Sequence, residues 1–220
     1  MMKVLLISSS PRREKSQTLF LAKQVLEGCL ENKDAESEVI HLCDLKIEFC
    51  RHCEACHKKI LACKIKDDVS MILGKMLKAQ GIILASPNYI NQVTGSMKTL
   101  FDRSSHFIHC KRLSGKYIVS VVSYGSGRDR GVLDYIKFYA HTCGAQYSGG
   151  ASNGRQIGAE KNDEAFALGR KLASDIKEKK EYPQEMRLLE SGKEYFKEKI
   201  KARKDEWVEE YQYWCDQGWL

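Results

Sequence analysis

Val4-Leu5-Leu6-Ile7 runs directly into Ser8-Ser9-Ser10-Pro11-Arg12-Arg13-Glu14-Lys15-Ser16-Gln17-Thr18. Behind that polar stretch Leu19, Ala22, Val25, Leu26 and Cys29 recur at helical spacing. The order reads as strand, loop, helix, and the unbroken apolar run marks a strand buried on both faces rather than one. The unit then repeats. A second strand is expected over 38–42, and Asp67-Asp68 sits where an N-cap and first turn belong, with Val69, Ile72, Leu73, Met76 and Leu77 continuing the helix. Gly81-Ile82-Ile83-Leu84-Ala85-Ser86 gives a third strand and 95–109 a helix; Tyr117-Ile118-Val119-Ser120-Val121-Val122 gives a fourth strand and 132–143 a helix. A weaker fifth strand near 146–149 precedes a helix over 163–179. Strand and helix alternating in this way build an α/β domain with a doubly wound, five-stranded parallel sheet.

Two segments lie outside that rhythm. Residues 46–66 form a cysteine-rich insertion after the second strand, and from Pro183 the chain becomes highly charged, with Phe196, Ile200, Trp207, Tyr211 and Trp214 at roughly helical spacing. The division expected is therefore a domain over 1–180 and a helical extension over 181–220, serving packing or oligomerisation, in which Trp207→Ala would weaken assembly.

The 220 residues carry 43% hydrophobic and 30% charged side chains, an ordinary globular composition that excludes a disordered chain. No window approaches a membrane span, and the opening apolar run meets Pro11-Arg12-Arg13 too soon to serve as a secretory leader. The net charge of +7 is spread; residues 175–206 hold ten Lys or Arg against nine Asp or Glu, which argues against a nucleic-acid face. Nine cysteines without such a leader point to a reducing, cytoplasmic setting in which thiols act as ligands or nucleophiles.

Ligands of an open parallel sheet bind beyond the carboxyl ends of its strands. The loop after the first strand offers Ser10, Ser16 and Thr18 hydroxyls, Gln17, the Arg12 guanidinium and the amides of a helix N-terminus, the parts that hold a phosphate monoester. The loop after the third strand, Pro87-Asn88-Tyr89-Ile90-Asn91, suits the polar rim and flat face of a heterocycle. After the fourth, Ser123-Tyr124-Gly125-Ser126-Gly127 lets a backbone approach closely. Neither a dinucleotide fingerprint nor a P-loop is present.

Cys50, Cys53, Cys56 and Cys63 fall within 14 residues. A cubane [4Fe–4S] cluster needs four thiolates converging on a compact body, and C-x2-C-x2-C with one further cysteine supplies them. Redox thiols are the next reading. Zinc comes last, because paired C-x2-C motifs are missing and His52 and His57 follow no zinc-finger spacing. His106 and His109 beside Cys110 read as surface or packing residues. No acid, base or nucleophile is singled out as catalytic.

Ser9-Ser10-Pro11-Arg12 with Ser16-Gln17-Thr18, Ser86-Pro87-Asn88-Tyr89 with Gly95-x-Met97-Lys98 and Phe101-Asp102-Arg103, and the four cysteines followed by Lys66-Asp67-Asp68 together resemble the NADPH-dependent FMN reductase superfamily, in particular its iron–sulfur flavoproteins. Ser9 replaces the family's Gly, and the spacer before Ser16 is one residue longer. The resemblance implies a flavodoxin-like fold and noncovalent FMN held by the three loops. It also implies a [4Fe–4S] cluster on the four cysteines and a homodimer or homotetramer with flavin at subunit interfaces. Electrons would pass between a ferredoxin-like donor and an acceptor, with NAD(P)H as a further co-substrate; neither nucleic acid nor a membrane is expected as a partner. A cluster-free NAD(P)H-dependent FMN or quinone reductase and a zinc-knuckle nucleic-acid-binding protein are the alternatives.

Overall fold

The computed structural model describes residues 1–154 and 162–220. Five strands, β1 (Met2–Ser8), β2 (Ala35–His41), β3 (Gly81–Pro87), β4 (Tyr117–Ser123) and β5 (Gln146–Asn153), form one sheet in the order β2-β1-β3-β4-β5. Every pairing is parallel, as the flavodoxin-like reading expects.

Alternate residues of each central strand feed opposite layers, the period-two consequence of a pleated backbone. Leu5, Ile7, Ile82, Leu84, Ile118 and Val122 pack against α3 (Val69–Lys78), α4 (Gly95–Asp102) and α6 (Asp129–Thr142). Val4, Leu6, Ile83, Ala85, Val119 and Val121 face α1 (Gln17–Leu30) and α7 (Asp163–Glu178). These last two helices cross backbone to backbone: a Cβ on Gly28 would stand 2.2 Å from the Phe166 carbonyl oxygen, and one on Gly169 2.0 Å from that of Val25.

The structure departs from the sequence reading in three places. The helix expected over 95–109 breaks into α4 and a one-turn α5 (Ser105–His109). Ser104 sits at the break, its hydroxyl donating to the Phe101 carbonyl at 2.8 Å and lying 2.9 Å from the Tyr139 hydroxyl, a local bond that competes with the helix. β2 is an exposed edge strand, carrying Glu36 and Glu38 instead of a continuous apolar run. β5 continues to Asn153, its hydrophobic signal diluted by Gly149 and Gly150 at a register shift opposite Ile118 and Val119.

The extension forms α8 (Pro183–Ala202) and α9 (Val208–Asp216). Ile200, Trp207 and Trp214 join Cys110 in a separate apolar cluster, and the Trp214 indole N–H donates to the His109 carbonyl at 3.1 Å. Trp207, 2% exposed, is packed within its own chain. Among the described residues no helix is long and apolar enough to cross a membrane.

Candidate functional site

The loops leaving β1, β3 and β4 converge on a cavity of about 430 Å³, a size typical of small-molecule sites. Ser10, Arg12, Ser16, Gln17 and Thr18 line it from the first loop, Pro87, Asn88 and Tyr89 from the second, and Ser123, Tyr124 and Gly125 from the third. The cavity lies at the β1/β3 switch point, where strand order reverses and the crossovers diverge.

Local sequence fixes each wall. Ser16 caps α1, its Oγ accepting the Leu19 N–H at 3.1 Å, a contact of about 1 kcal/mol. A 3-10 turn over Arg13–Lys15 takes up the longer spacer, and the Arg13 guanidinium pairs with Asp44 at 2.5 Å. The loops are then tied to one another. Thr18 Oγ1 lies 2.5 Å from Ser123 Oγ; the Asn88 N–H donates to the Ser123 carbonyl at 2.8 Å, and Asn88 Nδ2 to that of Gly127 at 3.2 Å.

Four residues expected in this cleft do not line it. Ile90 and Asn91 form the tip of a tight turn, with φ of 51° and 59° between the paired Tyr89 and Gln92, and Ile90 is 98% exposed. Ser126 is exposed, and Gly127 supports Asn88 from behind with its carbonyl. Three lining residues escaped the sequence reading: Lys15, Asn153 and Gly154. Asn153 accepts the Tyr124 N–H at 3.1 Å, and Gly154 admits the Tyr124 ring, which would stand 2.1 Å from a Cβ there. A glycine just past the end of β5 was the available signal.

Hydroxyls, helix-terminal amides and the Arg12 and Lys15 cations fit a phosphate. Asn88 Oδ1 is buried without a hydrogen-bond partner among the described residues, so a donor on the rim of a bound heterocycle would satisfy it.

The cysteine segment is built differently. Cys50, Cys53, Cys56 and Cys63 all line a second cavity together with Arg103 and Ser105. Its two ends are pinned together: the Lys46 N–H donates to Asp68 Oδ2 at 2.8 Å, the Asp68 N–H to the Lys46 carbonyl at 3.0 Å, and the Glu48 N–H to Asp67 Oδ2 at 2.9 Å. The paired aspartates therefore staple the loop as well as opening α3, where Asp67 Oδ1 accepts the Val69 N–H at 3.3 Å. Three sulfurs have polar neighbours: the His52 N–H at 3.4 Å from Cys50, Ser105 Oγ at 3.9 Å from Cys56, and the Arg103 guanidinium at 3.3 Å from Cys63.

His52, Glu54 and Leu61 all take positive φ, a costly backbone for residues with side chains. The tail holds this conformation in place. Arg203 grips the Glu54 carboxylate at 3.1 and 2.6 Å, and the Trp207 indole N–H adds a bond at 3.1 Å. Glu209 accepts the Ile60 N–H at 2.7 Å, and the buried Glu210 bonds His57 Nδ1 at 2.6 Å and His109 Nδ1 at 3.0 Å.

Charge follows this geometry. The Arg203 contact, then that of Trp207, hold the Glu54 carboxyl down at about 2. Burial opposes ionisation of Glu210, yet the two imidazoles hold it below the usual carboxylate range. Burial pushes the Cys56 thiol up to about 11, so a metal bound there displaces a proton. Burial, against the pull of the Glu210 carboxylate, is the main cause that drives the fully enclosed His106 down to about 3, as suits a neutral packing residue. His57, His109 and Glu210 bring ligand atoms within 4.8 Å of one another. The two imidazoles, however, lie stacked with centroids 4.6 Å apart and both turn Nδ1 to the carboxylate, the arrangement of a hydrogen-bonded clamp.

A family model described as NADPH-dependent FMN reductase matches residues 2–156. An iron–sulfur flavoprotein of Archaeoglobus fulgidus is 30% identical over 223 residues, covering 100% of both chains. Another from Methanocaldococcus jannaschii is 35% identical over 193 residues, 80% of this chain and 98% of its own. A further A. fulgidus iron–sulfur flavoprotein aligns at 42% identity over 103 residues, and there the chain spans 49% of the relative's length. The fold resembles that of an archaeal flavodoxin, with a TM-score of 0.54 at 16% identity over 80% of this chain and 99% of that one.

Proposed function

The chain belongs to the NADPH-dependent FMN reductase family, among its iron–sulfur flavoproteins, and on that premise we propose that this flavin-dependent oxidoreductase holds FMN in the crest cleft and a [4Fe–4S] cluster on Cys50, Cys53, Cys56 and Cys63. It passes electrons between a ferredoxin-like donor and an acceptor, with NAD(P)H as a further co-substrate. The observation that carries the reading is the convergence of all four cysteines on one cavity. The helix α4 starts beside the crest cleft, where the Thr94 N–H donates to Ser86 Oγ at 3.0 Å, and ends at Arg103 on the cysteine cavity. Eight residues at 1.5 Å each span only about 12 Å.

When bound, the flavin and the cluster supply the electron chemistry, two-electron and one-electron respectively. The protein supplies placement. Ser10, Ser16 and Thr18 hydroxyls hold the phosphate, with Arg12 and Lys15 as countercharge. Asn88 receives a donor from the ring edge, and Tyr89 and Tyr124 frame its face. The all-sulfur ligand set also suits zinc, but iron–sulfur chemistry joins the two sites in one task.

Assembly as a homodimer or homotetramer is part of the reading. Ile90, 98% exposed at the cleft rim, and Phe49, 79% exposed beside Cys50, suit contact with a second copy at both sites. None of the nine cysteines is joined in a disulfide, in keeping with a reducing cytoplasm.

Iron, acid-labile sulfide and flavin measured on protein purified without oxygen test the proposal. About four iron and four sulfide per chain beside one FMN are expected. Flavin without iron overturns the cluster in favour of the NAD(P)H-dependent reductase. Colourless protein with stoichiometric zinc and salt-sensitive polynucleotide binding overturns the reading altogether.

A further inference from the structure

Arg103 is 5% exposed and uses all of its terminal N–H groups on the cysteine segment. Nη1 donates to the Glu48 carbonyl at 2.6 Å and to Asp67 Oδ2 at 2.7 Å, and Nη2 to Asp67 Oδ1 at 3.0 Å and to Cys63 Sγ at 3.3 Å. One planar fork thus touches the way into the loop, the way out and one of the four sulfurs. A lysine, with a single point charge, cannot span those partners. The last cysteine is also the one separated from the others by the longest spacer, so the repeating Cys50, Cys53, Cys56 turn does not by itself set its position.

We infer that Arg103 is a positioning residue of the electron-transfer site, placing Cys63 as the fourth ligand and directing an N–H at its sulfur so that the site accepts an electron more readily. The inference rests on the iron–sulfur reading above. One electron arriving there adds a unit of negative charge with no bond made or broken. A fixed donor and cation against a ligand sulfur stabilise that added charge, the lever by which hydrogen bonds set cluster potentials. Asp67 binds both terminal nitrogens of the fork, so the guanidinium stays aimed whether or not the electron is present.

The test uses FMN- and iron-loaded protein carrying Arg103→Lys or Arg103→Gln, titrated potentiometrically and followed by electron paramagnetic resonance of the reduced cluster. Arg103→Lys is expected to keep iron and flavin but to shift the one-electron equilibrium about tenfold toward the oxidised form, or about 59 mV, with the flavin potential unmoved. Arg103→Gln is expected to shift it further, or to lose iron to a chelator at least about tenfold faster while retaining FMN. Should Arg103→Gln not fold, the lysine variant decides alone. Iron content, potential and resonance all matching the parent would make Arg103 a bystander and overturn the inference. A parent protein with flavin but neither iron nor sulfide fails earlier, on the cluster reading itself, and takes the inference with it.

Discussion

The crest cleft and the cysteine cavity lie at the two ends of α4, yet they are supported by different physics. The cleft hangs from β1, β3 and β4, strands whose inner residues are almost wholly buried, and its loops need only short ties such as Thr18 to Ser123 to stay in register. The cysteine segment has little regular structure beyond the four-residue helix α2 (Ala55–Lys58), and three of its residues sit at positive φ. Its shape comes from Arg103 and Asp67 beneath it and from Arg203, Trp207, Glu209 and Glu210 of the tail above it. A sheet edge holds a ligand loop through backbone bonds and burial. A loop without a core is held by side-chain contacts from outside it, among them the buried Arg103–Asp67 ion pair, whose disruption by removal of one partner costs about 3–5 kcal/mol.

That contrast can be broken experimentally. The largest effect expected is on Cys53→Ala, which should abolish iron and sulfide binding while leaving FMN stoichiometry intact. Simultaneous loss of both cofactors would mean that the two regions are not independently supported. Next comes Thr18→Val, which deletes a cleft hydroxyl and the bridge to Ser123. Flavin affinity measured by fluorescence titration should fall about tenfold, roughly 1.4 kcal/mol, with iron content unchanged; an equal loss of iron would couple the sites more tightly than the geometry does.

The smallest effect is an acid one. Glu54 and Glu210 are held below their ordinary values in the fold, so the stability they contribute is present above about pH 4.5 and is lost as pH falls through their lowered values, reaching about 2 for Glu54. All three tryptophans lie in the tail, at 207, 214 and 219, so their emission reports on that region alone. In cluster-free protein a modest red shift should begin below pH 4.5, before far-UV ellipticity of the sheet domain declines. Coincident transitions would place the tail and the sheet in one cooperative unit.

What the sequence reveals follows the same divide. The crest loops are legible because each follows its strand without a gap, so one continuous apolar run announces both the element and the site. Ile90 and Asn91 lie outside the cleft lining because a two-residue turn with positive φ carries them to its tip, a conformation hard to distinguish from a ligand loop when neither residue is glycine. Lys15 was hidden in a 3-10 turn, and Asn153 and Gly154 behind the glycines of β5. The four cysteines announced themselves by spacing. Their supports did not: Glu54 meets Arg203 across 149 positions and His57 meets Glu210 across 153, and no local pattern encodes a contact at that range. His57 and His109 look like isolated histidines until α9 is folded over them.

Because Lys46 and Asp68 bond backbone to backbone at 3.0 Å, the excursion between them leaves and rejoins the domain at a single doorway. A chain closed at that doorway would ask nothing new of the sheet, so the cysteine segment has the architecture of a cassette, transplantable or dispensable without redrawing the strands. The tail would not share that indifference. Stripped of its dock, it would lose the Glu54 and His57 contacts that cover Trp207, which ties the start of the last helix to a cassette far upstream of it.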